Sequence, residues 1–88
     1  MIRRRVVVRG TVQGVFFRAS CRDEAWAQGV RGWVSNRPDG AVEAVFEGDR
    51  DAVMTMVAWS GHGPPQAVVE NVEVTEEDPR GLSDFSVR

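Results

Sequence analysis

The chain of 88 residues is long enough for one domain, residues 1–88, and leaves no room for two. Its 11 basic residues are all arginines and face 13 acids, for a net charge of −2, which argues against a general nucleic-acid binder. The lack of lysine rules out Schiff-base chemistry and a Walker-type phosphate lysine, and a single cysteine with a single histidine excludes a Cys/His zinc site.

Arg3-Arg4-Arg5 resembles the start of a signal peptide, but the apolar run behind it is only Val6-Val7-Val8, too short for a signal or membrane segment. No membrane partner is expected, and the unpaired Cys21 points to a reducing, cytoplasmic setting. Arg5 to Val12 is rich in β-branched residues and reads as a strand, interrupted by the loop Gly10 to Gly14. Phe17 to Gln28 reads as a helix, with Cys21, Ala25 and Gln28 on one side and Gly29 at its C′ position. Val30 to Asn36 and Ala41 to Glu47 are strands joined by the hairpin signal Pro38-Asp39-Gly40. In the second of these, Val42, Ala44 and Phe46 alternate against Glu43 and Glu47, which are expected to face solvent.

Arg50 to Ser60 is a second helix, with Val53, Met56, Val57 and Ser60 on one stripe, closed by Gly61 and by Gly63-Pro64-Pro65. Ala67 to Val74 is a strand with Val68, Val72 and Val74 in phase. Glu76 to Gly81 reads as a solvated loop, and Phe85 to Val87 as a short closing strand. Trp26, Trp33 and Trp59 are expected as core anchors, and His62 as a surface residue. The order β-α-β-β-α-β predicts an α+β, ferredoxin-like sandwich, with two helices on one face of a mostly antiparallel sheet.

The stretch Gly10-Thr-Val-Gln-Gly-Val-Phe-Phe-Arg18 carries the chemistry. A strand ends in a glycine-bracketed loop that runs into a helix with an arginine in its first residues. Successive N–H groups of such a loop can converge on one oxyanion, the helix end adds about half a positive charge, and the Arg18 fork matches phosphate oxygens. The same pattern also fits an ordinary strand-to-helix turn with a solvated Arg18. The spacing is not that of a P-loop, and a cysteine phosphatase needs an arginine six positions after its cysteine, where this chain has Ala27. Asn36, at a strand end, either satisfies the hairpin backbone or presents its amide to a ligand.

Val8-Arg-Gly-Thr-Val-Gln-Gly-Val-Phe-Phe-Arg18 resembles the first signature of the acylphosphatase family, and Gly32-Trp-Val-Ser-Asn36, followed by Gly40, Val42 and Gly48, resembles its second. Ala25, Gly29-Val30, Trp59 and Gly63-Pro64 fall where that family has similar residues, so the likeness covers essentially the whole chain. One departure is Ser35, where the family often has a basic or long residue. On a strand it faces away from Asn36, so the difference is expected to touch surface or packing more than chemistry.

The resemblance implies hydrolysis of the carboxyl–phosphate bond of small acylphosphates, with no metal, no cofactor and no covalent intermediate. By motif position it places phosphoryl binding on Arg18, with the backbone of Gln13, Gly14, Val15, Phe16 and Phe17, and water positioning on Asn36. Inorganic phosphate or sulfate is the expected competing anion, and a monomer the expected state. Two other readings stand beside it. One is a non-catalytic module binding a phosphorylated or carboxylated ligand. The other is an RNA-binding sheet, which would want aromatics on its central strands, and the first strand offers none.

Overall fold

The computed structural model describes residues 1–88 as β1 (Ile2–Thr11), α1 (Phe17–Gln28), β2 (Arg31–Asn36), β3 (Val42–Gly48), α2 (Arg50–Ser60), β4 (Val68–Glu77) and β5 (Phe85–Val87). The strands form one sheet in the order β4-β1-β3-β2-β5, antiparallel except for the β2–β5 pair. This is the ferredoxin-like arrangement the element order predicts. Period-two alternation puts Val6, Val8, Val34, Val42, Ala44 and Phe46 on one face, against Phe17, Cys21 and Ala25 of α1 and Val53 and Met56 of α2. Phe85 of β5 extends this core by stacking on Phe46, with ring centroids 6.0 Å apart.

The other face explains where the expected boundaries miss. β1 begins at Ile2, three residues before the expected start, because Arg3 and Arg5 find carboxylates across the sheet. Arg3 binds Glu47 at 2.6 Å and Glu77 at 2.8 Å; Arg5 binds Glu43 at 2.6 Å and Glu77 at 2.7 Å. Glu47 therefore does not face solvent. It is fully buried, and its carboxylate also accepts the N–H groups of Arg80, Gly81 and Leu82. Those bonds anchor the segment that carries the chain from β4 to β5.

Glu76 and Glu77 likewise belong to β4, not to a loop, since their register partners are Arg4 and Arg3. The Val68/Val72/Val74 phase fails at an irregularity between Arg9 and Gly10. There the register shifts, so that Val69 and Val72 pack on the core and Val68 is exposed. Val74 is also exposed, because β4 is an edge strand with little above it.

Trp59 does pack on the core, but Trp26 is 56% exposed. It sits at the sheet margin, where its indole N–H donates to the Phe85 carbonyl oxygen at 3.2 Å. Trp33 is held on the open face between the guanidinium groups of Arg5 and Arg88. His62 is exposed, as expected.

Candidate active site

The loop between β1 and α1 has the backbone of an anion cradle. Gly14 (φ 76°) and Phe16 (φ 65°) have positive φ on either side of Val15, whose φ is negative, so the sign of φ alternates as in a nest of N–H groups. None of the N–H groups from Gln13 to Ala19 donates to another group of the chain; the first amide bonded in the helical pattern is that of Ser20, to the Phe16 carbonyl oxygen. α1 also lacks what normally neutralises a helix start. Its N-cap is Phe16, with no side-chain cap, and its first turn holds no acid. α2, by contrast, starts at Asp49 with Asp51 in its first turn. The positive end of α1 is thus left open, with Arg18 adding charge where a helix dipole disfavours a cation.

Arg18 is exposed, and its one bond is a 3.3 Å donation to the Arg88 carbonyl oxygen; no carboxylate pairs with it. Asn36 ends β2 opposite Val42, and its side-chain amide makes no bond within the chain. Gly14, Phe16, Phe17, Arg18 and Asn36 line one pocket of about 320 Å³, at the small end of ligand sites.

Gln13 and Val15 do not line that pocket. Val15 packs against the core, and the Gln13 side-chain amide donates to the carbonyl oxygens of Arg37 at 2.8 Å and Ala41 at 3.0 Å. That pair of bonds ties the cradle to the hairpin that carries Asn36. Phe17 is buried, with its ring edge-on to Trp59 at 5.2 Å, which fixes the start of α1 against the second helix. Gly63 lies against the Phe17 ring with no room for a Cβ.

Four lining residues lie outside the site expected from sequence: Val12, Ala19, Arg22 and Val87. Arg22 follows Arg18 by one turn of α1, a spacing that could have revealed it. Its charge is shared with Asp23, 3.1 Å away, and its guanidinium lies over Trp26. Val87 comes from the far end of the chain and has no sequence signal. Cys21 is fully buried, and burial, with a smaller contribution from Glu24, pushes its thiol well above the ordinary range, so it is no nucleophile.

The acylphosphatase family profile matches residues 4–87. The chain belongs to the acylphosphatase family. It is 55% identical over 86 residues to an acylphosphatase of Gloeobacter violaceus, covering 98% of this chain and 92% of that one. Among solved structures, an acylphosphatase from Coxiella burnetii matches at 46% identity and a TM-score of 0.95, over 99% of this chain and 92% of the other. The acylphosphatase from Bacillus subtilis matches at 38% identity and a TM-score of 0.96, over 100% and 99%. Both acylphosphatase structures thus share the fold over nearly the whole of this chain.

Proposed function

We propose that Arg18 and the main-chain N–H groups of Gln13, Gly14, Val15, Phe16 and Phe17 hold the phosphoryl group of a small acylphosphate while Asn36 holds the attacking water. The water oxygen bonds to phosphorus and the bond from phosphorus to the bridging oxygen breaks. The carboxylate leaves with that electron pair, and the water protons pass to phosphate and solvent. A carboxylate is a good leaving group, so positioning and charge stabilisation can supply most of the acceleration. The observation that carries this reading is the run of unpaired amides from Gln13 to Ala19, of which Gly14, Phe16, Phe17, Arg18 and Ala19 line one pocket with Asn36. An anion cradle alone would suit a binding module; an uncommitted side-chain amide in the same pocket suits a reaction.

The test is acetyl phosphate hydrolysis with EDTA in ¹⁸O-labelled water. Label in phosphate, with Arg18→Ala impaired in both KM and kcat and Asn36→Ala mainly in kcat, supports the assignment. Label in acetate, or equal losses of turnover and phosphate inhibition in Asn36→Ala, contradicts it. We place the chain as a cytoplasmic monomer without nucleic-acid or membrane partners. In support, edge strand β4 carries Glu70, Glu73 and Glu76, which discourage strand addition, and no helix is long and apolar enough to cross a membrane.

A further inference from the structure

The pocket is larger than the phosphoryl group needs. Its volume of about 320 Å³ exceeds what five heavy atoms fill, and beyond Gly14, Arg18 and Asn36 its remaining wall is Val12, Phe16, Phe17, Ala19, Arg22 and Val87. Phe16 is the odd residue. It is the single non-glycine residue with positive φ (65°), a conformation that strains a bulky side chain, and the residue is 73% exposed. Glycine would adopt that backbone more cheaply, so the strain and the exposed ring call for a role that needs a ring there.

Val87, at the end of β5, is 38% exposed and lines the same pocket. Arg22 adds little free charge to that wall, because its Nε and Nη2 both bond Asp23 and its guanidinium lies over Trp26, 5.0 Å from the ring centre.

Resting on the function proposed above, we infer that Phe16 and Val87 are specificity-determining residues that receive the acyl part of the substrate, and that the preferred substrates are acylphosphates with an extended apolar acyl group. A contact to the non-reacting end is made equally in ground and transition states, so it lowers KM and leaves kcat nearly unchanged.

The test compares hexanoyl with acetyl phosphate, whose leaving groups have nearly the same basicity, so that their ratio reports contact rather than chemistry. Partial burial of the four extra methylenes predicts a kcat/KM preference of about tenfold for hexanoyl phosphate, carried by KM. Phe16→Asn, which tolerates the left-handed backbone, and Val87→Ser should each lower that ratio by about threefold or more. The inhibition constant for inorganic phosphate, measured in each variant, separates a lost wall from a damaged cradle. A wild-type ratio near one, or a ratio unmoved in both variants, overturns this inference while leaving the proposed function standing. Failure of the wild type to hydrolyse either compound defeats the proposed function itself.

Discussion

Arg18→Ala should push stability and activity in opposite directions. In the folded chain the guanidinium stands at the positive end of α1, pairs with no carboxylate and makes one long bond of 3.3 Å to a carbonyl oxygen. Removing it relieves an unfavourable dipole contact of about 0.3–1 kcal/mol and installs the better helix former. The variant should therefore be as stable as the wild type, or more stable by up to about 1 kcal/mol, in urea unfolding.

Its kcat/KM on acetyl phosphate should fall by about 10²–10³, the loss of one preorganised donor, or about 2.7–4 kcal/mol of transition-state stabilisation. Arg22 limits the deficit from one turn away, but its charge is already shared with Asp23. Ligand linkage supplies a third readout. Phosphate at 100 times its dissociation constant should stabilise the wild type by about 2.7 kcal/mol, and at the same concentration should stabilise the variant far less. A variant destabilised by more than about 1 kcal/mol, or one within threefold of wild-type kcat/KM, would refute this account of Arg18.

Gln13→Ala removes two bonds, to the Arg37 and Ala41 carbonyl oxygens, which then keep only the backbone N–H groups of Gly40 and Arg37; at about 0.5–1.5 kcal/mol for each lost bond it should cost about 1–3 kcal/mol in urea unfolding. It should also lower kcat more than it weakens phosphate inhibition, because the hairpin bearing Asn36 is released while the amides stay; an unchanged kcat would disconnect the two. Glu47→Gln breaks a buried pair with Arg3 at 2.6 Å, and a loss of about 3–5 kcal/mol, or more than about 10 °C in Tm by calorimetry, is expected with kcat/KM little changed. The Arg5 and Arg3 guanidinium groups hold the Glu77 carboxyl down to about 2. A carboxyl depressed in the folded state contributes stability above its ordinary value and loses it as pH falls. Part of the acid loss between about pH 4.5 and 2 should therefore vanish in Glu77→Gln when urea midpoints are compared across that range.

The helices and the closing strand were legible because their signals are local. Gly29 (φ 70°) closes α1 by donating to the Ala25 and Trp26 carbonyl oxygens, and the stripe of Val53 and Met56 turns α2 inward. Arg18 and Asn36 were legible through motif and spacing, and they do meet at one pocket. What stayed hidden depends on register. An acid such as Glu47 reads as solvent-facing until β1 sets Arg3 opposite it and three amides close over it. Val68 looks like core until the shift near Gly10 turns it out. Val87 reaches the pocket only because β5 pairs parallel with β2, beside the strand that carries Asn36.

One residue type serves two opposite ends here, and partnership decides which. Arg3, Arg5 and Arg9 each engage two carboxylates across the open sheet face, so most of that positive charge is consumed in holding strands together. Arg18 has the same chemistry and no carboxylate, on a helix end that no acid caps. A chain with a net charge of −2 can therefore present a locally positive pocket, because the field at a site is set by the nearest unpaired charges and oriented amides. The same reasoning explains the missing cap on α1. An aspartate at its N-cap would stabilise the helix but occupy the amides that the anion needs. The loop instead carries glycine at position 14 and an exposed phenylalanine at position 16, and its donors stay free for the substrate.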